Sequence, residues 1–360
     1  MRGKTIVTTS GKTSWCKRTK DSSLLPTLRM KATAFHKENG FKQKSNPWLL
    51  LALLVGGGFY FLHFPQEELS LPWEWTFNPI QSLSRPLRVA ISTVFLAGIY
   101  AFVSWHLILS QKSLKKRRRG ANRLAPLLLL NYPEIWLHPS LPIGFLALCG
   151  AYHTHSRLYD KKKAPYTSAW SGVFLGISIL IRPAYTVFLP FFILALSSLK
   201  AFSLKNTLAL LLGFFTPLLL ALPFLLPLIY QGELSLNLMQ LFEYHPLWRL
   251  PFEVSFPLWI ALASTLLVFL TVLSRLIEQR FTMREETLGK IDSTLFLFLP
   301  LILVVFFRFI LADYLLVASF TLGLLYSYSN NSSRTTSRYY LYTLLAVSAA
   351  ISLYSFSIGN

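Results

Sequence analysis

Two long stretches of this chain carry almost no charge, and this feature limits what the chain can fold into more than any other. No charged residue lies between Asn206 and Gln231, and Glu134 is the only one between Leu124 and Ser156. The surface helices of a water-soluble protein need a polar face, which such stretches do not provide. A bilayer instead accepts about 20 apolar residues for each crossing. The chain is therefore predicted to be an all-α, polytopic transmembrane helical bundle.

The apolar segments predict about eleven membrane helices, several of them short or broken by proline. In order they are Pro47–Phe64, Leu87–Ser110, Leu124–Leu137, Ser140–His155, Ser168–Ile181, Ala184–Leu199, Thr207–Tyr230, Phe256–Ser274, Thr294–Phe307, Ile310–Tyr328 and Tyr340–Phe356. The stretch 124–155 is interrupted by Pro133, Pro139 and Pro142, and the stretch 168–199 by Pro183. Proline inside a helix removes a hydrogen bond and kinks or ends it. The third to sixth segments are therefore predicted as two pairs, either full crossings or re-entrant.

The basic residues sort to one side of these predicted segments. Of the 35 Lys and Arg residues, 30 lie before residue 47 or in the loops 111–123, 156–167, 200–206, 275–292 and 329–339. Cytoplasmic loops carry an excess of Lys and Arg. We therefore expect a multi-pass membrane protein with its N-terminus on the cytoplasmic side and its C-terminus on the opposite side.

The same distribution indicates the partners of the chain. The net charge of +20 lies in tails and loops that flank apolar runs, so the bilayer is the predicted partner and nucleic acid is not. The run Lys112–Arg119 is expected to bind anionic lipid headgroups. Envelope proteins are a further expected class of partner.

Composition also divides the chain into two parts. Residues 1–46 are basic and rich in Ser and Thr, which predicts a largely disordered cytoplasmic tail, and residues 47–357 form the predicted multi-helix membrane domain. Met30 opens a short basic lead into the first apolar run, so a start at Met30 is an alternative to a longer tail.

Metal and cofactor chemistry is not predicted. The two cysteines, Cys16 and Cys149, and the seven histidines show no metal-ligand spacing. The histidines are interpreted as interfacial or solvated. The Gly-rich pattern GVFLG, from Gly172 to Gly176, is of the small-xxx-small type and is consistent with close packing against another helix.

From Asn46 to about residue 330 the chain resembles an uncharacterised (domain-of-unknown-function) family of Bacteroidota polytopic inner-membrane proteins. The matching features are SNPWLLLALL, the block HTHSRLYDKKKAPYTSAWSGVFLGISILIRPAYTVFLPFFILAL, and LLLGFFTPLLLALPFLLP. The resemblance implies a fold and a membrane location, and no activity is attached to the family.

A weaker likeness is to the GT-C type of membrane glycosyltransferases, which use polyprenyl-phosphate sugars. Those proteins often carry a catalytic carboxylate in the first extracytoplasmic loop, and here the corresponding loop reads PQEELSLPWEW. The likeness implies that Glu67 or Glu68 is catalytic. Without this likeness, three interpretations of Glu67 and Glu68 are open. The two carboxylates can serve as a general base, can help to hold a divalent metal, or can be part of an ordinary solvated loop.

Three further charged residues are candidate ligand-binding groups. Arg182 lies in an Arg-Pro break between two apolar segments, where its planar guanidinium can grip a phosphate or can anchor the chain at the membrane interface. Arg308 and Asp313 lie five residues apart, and they can pair if a tight turn joins the two segments around them. We expect Arg182 and the first outer loop to share a polar, outward-facing pocket.

Three function classes remain open on these observations. The first is a non-catalytic membrane subunit or scaffold of an envelope assembly. The second is a lipid-linked sugar transferase, with Glu67 or Glu68 as base and Arg182 on phosphate. The third is a transporter, which the broken helices suggest.

Overall fold

The computed structural model describes residues 83–110, 134–230, 252–298 and 311–329, and every regular element in those ranges is helical. The helices are α1 (Arg85–Ser110), α2 (Glu134–Leu137), α3 (Ser140–Ser156), α4 (Pro165–Ile181), α5 (Phe188–Ser198), α6 (Leu204–Tyr230), α7 (Phe252–Gln279), α8 (Glu285–Phe298) and α9 (Leu311–Ser329). Short 3-10 turns, Pro183–Val187 and Arg280–Thr282, precede α5 and α8. The all-α prediction is confirmed for these ranges. The predicted total of eleven helices also depends on residues outside them.

Most of the predicted segments in the described ranges match a helix to within a few residues, but one boundary is wrong. The predicted segment Thr294–Phe307 corresponds to α8, which begins nine residues earlier, at Glu285. The predicted loop 275–292 is therefore largely helical. Glu285 and Glu286 occupy the first turn of α8, where negative charge stabilises the positive end of the helix dipole. A prediction based on stretches of apolar residues cannot detect a helix whose first turn is polar.

Helices α3 and α4 pack side by side and run in opposite directions. The hydroxyl of Ser171 donates to the carbonyl oxygen of Ala151 at 3.0 Å. Two turns further along α4, the hydroxyl of Ser178 donates to the carbonyl oxygen of Gly144 at 2.9 Å. An increase of seven residues on one helix matches a decrease of seven on the other, which is the signature of an antiparallel pair.

Helices α4 and α6 run parallel at very short separation. A Cβ atom at Gly172 would overlap the carbonyl oxygen of Leu210, and one at Gly176 would overlap that of Phe214. Gly213 on α6 faces the backbone of Ala169 in the same way. Only glycine fits at such contacts, so the close packing suggested by the GVFLG pattern is confirmed.

Asn206 joins the loop before α4 to the loop before α6. Its side-chain Oδ1 accepts from the Ala164 amide at 3.2 Å, and its Nδ2 donates to the carbonyl oxygens of Lys161 and Ala201 at 3.0 and 2.8 Å. Its backbone carbonyl accepts from the Ser168 hydroxyl at 2.7 Å. The loops 157–164 and 199–203 therefore lie at one end of the helices, which we call the basic end.

The start of α8 lies at the same end. Lys200 Nζ lies 2.6 Å from Glu285 Oε2 in an exposed ion pair. One turn into α8, a Cβ at Gly289 would lie 2.8 Å from the carbonyl oxygen of Ser198 and 3.0 Å from the Tyr159 ring. Helix α8 therefore begins at the basic end, as α4 and α6 do.

The main core lies between α3, α8 and α9. Phe320 on α9 makes edge contacts with Phe145 and Tyr152 of α3, at centroid distances of 5.4 and 5.9 Å. The Tyr152 hydroxyl is 2.6 Å from the Thr294 hydroxyl on α8, so the one polar group at this contact is paired.

One helix in the described ranges, Leu204–Pro227, has the length and the apolar composition of a membrane span. Much of its side-chain surface faces outward, including Leu212, Leu219 and Phe224, which are 70%, 64% and 77% exposed. The other apolar helices found there are shorter: Pro86–Ile99, Pro165–Ile181, Pro183–Ser198 and Leu316–Tyr326.

Candidate functional site

Arg182 occupies the predicted break between α4 and α5. Helix α4 ends at Ile181, Arg182 is extended (φ −136°, ψ 97°), and the 3-10 turn begins at Pro183. A residue before proline is pushed out of the helical region, so Pro183 accounts for this conformation. The Arg182 amide still donates to the carbonyl oxygen of Ser178 at 2.9 Å, and its carbonyl accepts from the Tyr185 amide at 3.1 Å. The break is thus a defined, hydrogen-bonded bend.

The Arg182 side chain is fully buried, and α3 forms part of the surface that buries it. A Cβ atom at Gly144 would lie 3.2 Å from Arg182 Cβ and 3.1 Å from Cε2 of Tyr185. The Tyr185 hydroxyl lies 3.5 Å from the carbonyl oxygen of Leu141. Both Arg182 and Tyr185 have no exposed surface. This burial disagrees with the interpretation of Arg182 as an interface anchor, because an anchor extends its guanidinium toward headgroups.

His138 lies in the short connection between α2 and α3, where the charge of Arg182 acts on it. It is only 5% exposed, and its Nδ1 has no hydrogen-bond partner in the described part of the chain. Burial, together with the positive charges of Arg182 and Arg88, lowers the pKa of His138 to about 3. The imidazole is therefore neutral at physiological pH. We call Arg182, Arg88 and His138 the Arg182 cluster.

The cluster lies at the opposite end of α4 from the basic end. Seventeen helical residues, from Pro165 to Ile181, separate the Lys161–Lys163 loop from Arg182, a length of about 25 Å at 1.5 Å per residue. Chemically, two positive charges that act on one neutral imidazole favour an anion with several acceptor oxygens, such as a carboxylate or a phosphate.

The described part of the structure does not show the remaining predicted site residues at the Arg182 cluster. Glu67, Glu68, Arg308 and the run Lys112–Arg119 lie outside the described residues. Asp313 lies in the first turn of α9, where only its backbone is described. The predicted pocket that joins Arg182 to the first outer loop therefore stays a prediction, as does the Arg308–Asp313 pair.

Burial contradicts the solvated alternative for the histidines of α3 and its preceding turn. His138, His153 and His155 are 5%, 7% and 2% exposed, so none of the three is solvated. A signal for His138 was present in the sequence: His138 and Arg182 each immediately precede a proline at a helix break. Proline fixes such a residue in an extended conformation and so marks both positions. In the described ranges, no group of three or more His, Cys, Asp or Glu residues is placed to hold a metal ion.

No family model, no curated protein and no solved structure matches the chain. The resemblances to the Bacteroidota family and to the GT-C glycosyltransferases stay predictions.

Proposed function

We propose that the chain is a polytopic integral protein of the bacterial inner membrane and serves as a non-catalytic subunit or scaffold of an envelope assembly. The observation that carries this proposal is helix α6. It is long and apolar enough to cross a bilayer, and its outward face consists largely of leucine and phenylalanine. In water such a face would be costly, at roughly 25 cal/mol for each Å² of apolar surface. In a bilayer it is matched by the lipid.

The arrangement of the basic loops supports the proposed topology. The loops before α4, α6 and α8 lie together at the basic end, and they carry Lys161–Lys163, Lys200, Lys205 and Arg284. Basic loops on one side are what the positive-inside rule requires. The proposal therefore places the basic end and the N-terminus in the cytoplasm, and the C-terminus in the periplasm. It places the Arg182 cluster toward the outer side.

Close helix packing favours the subunit or scaffold function over a transporter. Alternating access requires one group of helices to rock against another around the bound substrate. Gly172 and Gly176 hold α4 against the backbone of α6, and Asn206 ties the ends of the same two helices. A contact with no free space at the backbone resists sliding, so this pair of helices does not provide a rocking interface.

A second candidate function is lipid-linked sugar transfer, and the burial of Arg182 favours it. A buried guanidinium beside Arg88 and His138 suits the phosphate of a polyprenyl-phosphate sugar. This candidate also needs a carboxylate base, which Glu67 or Glu68 would supply. Incorporation of sugar from a polyprenyl-phosphate donor by the purified protein, lost in Glu67→Gln/Glu68→Gln, would establish the enzyme over the scaffold.

Cysteine labelling tests the proposed membrane topology. In a Cys16→Ser background, which keeps the buried Cys149, single cysteines replace Arg117, Lys162 or Ser235. An impermeant maleimide added to intact inner-membrane spheroplasts should label the cysteine at 235 and spare those at 117 and 162. All three should react after the membrane is permeabilised. Labelling at 162 from outside would contradict the topology, and recovery of the protein in the soluble fraction would contradict the membrane assignment itself.

A further inference from the structure

The basic end carries a row of exposed cations held in a fixed arrangement. Its members, which we call the basic rim, are Arg157, Lys161, Lys162, Lys163 and Lys205, all exposed. The backbone beneath them is not a loose loop. Asn206 bonds the carbonyl of Lys161, the Ser203 hydroxyl donates to the carbonyl of Lys162 at 2.9 Å, and the Asp160 amide donates to the carbonyl of Leu199 at 2.9 Å.

The rim has little negative charge of its own in the described part of the chain. Asp160 is the only carboxylate on the two loops that form it. The nearest acidic helix end, Glu285 on α8, is engaged by Lys200 at 2.6 Å. That ion pair removes Lys200 from the free cations and also keeps Glu285 from neutralising the rim.

Exposed aromatic side chains follow the rim directly along the helices. Tyr166 and Trp170, on the first turns of α4, are 74% and 42% exposed and stack edge to face at 6.2 Å. Phe202, just before α6, is 59% exposed. Trp170 lies five residues into α4, which is about 7.5 Å along the axis from its first residue. Cations in one layer and aromatic rings several ångströms deeper match the phosphate layer and the acyl boundary of a leaflet.

We propose that the basic rim, with Tyr166 and Trp170, is a docking surface for the anionic headgroups of the cytoplasmic leaflet. The inference rests on the proposed membrane location and goes beyond it, because a protein can cross a bilayer without preferring one headgroup. Charge complementarity selects the occupant. Four cations on the loop before α4 and Lys205 in the first turn of α6 attract a headgroup with net negative charge, and the zwitterionic headgroup of phosphatidylcholine offers none. Its residues are different from those of the run Lys112–Arg119, which lies outside the described residues.

Quenching of Trp170 fluorescence by brominated lipids tests the proposal. The full chain is reconstituted in phosphatidylcholine vesicles in which a fixed fraction of lipid is brominated phosphatidylglycerol or brominated phosphatidylcholine. The difference between the wild type and Trp170→Phe isolates the Trp170 signal. We expect the apparent association constant for phosphatidylglycerol to exceed that for phosphatidylcholine by about fivefold or more at low salt, and this preference to shrink at high salt.

Matched variants decide whether the rim causes the preference. Lys161→Gln/Lys162→Gln/Lys163→Gln should bring the ratio of the two constants close to one, whereas Lys200→Gln, at a lysine already paired with Glu285, should leave it unchanged. Equal quenching by the two lipids in the wild type, or a preference that survives in the triple variant, would overturn the docking surface. If neither lipid quenched Trp170, the membrane assignment of this end would fail as well, so the two failures are distinguishable.

Discussion

Ser178 donates a hydrogen bond to the carbonyl oxygen of Gly144 at 2.9 Å, and the α-carbon of that same glycine faces Arg182. The bond fixes the height of α4 relative to α3 one turn before the Arg-Pro break. The missing side chain at Gly144 leaves the space that the Arg182 side chain and the Tyr185 ring occupy. A helix contact and a buried cation thus depend on one small residue.

The glycines between α4 and α6 should tolerate no larger residue. Gly172→Ala would place a methyl group onto the carbonyl oxygen of Leu210, which is backbone and cannot turn aside. We expect a loss of about 3 kcal/mol or failure to accumulate, since overpacking costs roughly 1–3 kcal/mol even where side chains can yield. Thermal unfolding in detergent measures the effect.

Gly98 on α1 provides the matched control for this substitution. A Cβ there would lie 4.0 Å from the nearest atom, Cδ2 of Leu146, which is ordinary contact. Gly98→Ala should be neutral or slightly stabilising, because alanine is the better helix former. Equal stability of Gly172→Ala and Gly98→Ala would contradict the close approach of α4 and α6.

Removal of the Asn206 side chain should loosen the basic end. Asn206→Ala leaves the Ala164 amide and the carbonyls of Lys161 and Ala201 without their side-chain partner. An unsatisfied buried polar group costs about 1–3 kcal/mol. Hydrogen exchange at the Ala164 amide should become at least tenfold faster. Thr216→Ala, which removes an exposed bond within α6, should leave that exchange rate unchanged.

Arg182 should be intolerant of lysine. The guanidinium is buried, and lysine offers a compact charge with no planar fork. At equal protein level, Arg182→Ala should reproduce the phenotype of a deletion strain, and Arg182→Lys should restore function poorly. Arg280→Ala, at an exposed arginine in the turn between α7 and α8, should behave as wild type in this assay. Full activity of Arg182→Ala would remove the residue from the functional site.

The Lys200–Glu285 ion pair should be detectable as a lowered pKa of Glu285. The hydrogen bond from Lys200, and then its charge, lower the pKa of Glu285 below 4.5, and Glu285 raises the pKa of Lys200 above 10.5. The stabilisation by Glu285 is therefore present above pH 4.5 and is lost as the pH falls through its lowered pKa. The stabilisation by Lys200 is present below pH 10.5 and is lost as the pH rises through the raised pKa of Lys200.

Carbon-13 carboxyl NMR can follow this titration. Lys200→Ala should raise the pKa of Glu285 toward 4.5. Lys205→Ala, at a lysine of the same end that has no ion pair within the described residues, should not. Because both partners are exposed, we expect no large change in overall stability. An unchanged Glu285 titration in Lys200→Ala would show that the pair does not form in solution.

Apolar runs predicted the helices well because a helix in an apolar environment needs apolar side chains on every side. Pro183 likewise predicted the break at Arg182, since proline acts locally. The start of α8 at Glu285 was missed because it depends on the helix dipole. The burial of His138 was missed because it depends on tertiary packing, which a local sequence pattern does not report. Local patterns thus predicted the elements, while the contents of the Arg182 cluster depend on which helices meet.

The contacts of Gly172 and Gly176 on α6 have a mechanical consequence. The pairs 168/206, 172/210 and 176/214 keep one constant offset along both helices, so α4 cannot slide on α6 without driving backbone into backbone. Arg182 follows directly after the last turn of α4. The position of this arginine along the axis of α6 is therefore set by backbone contacts of α4, and not by the contacts of its own side chain.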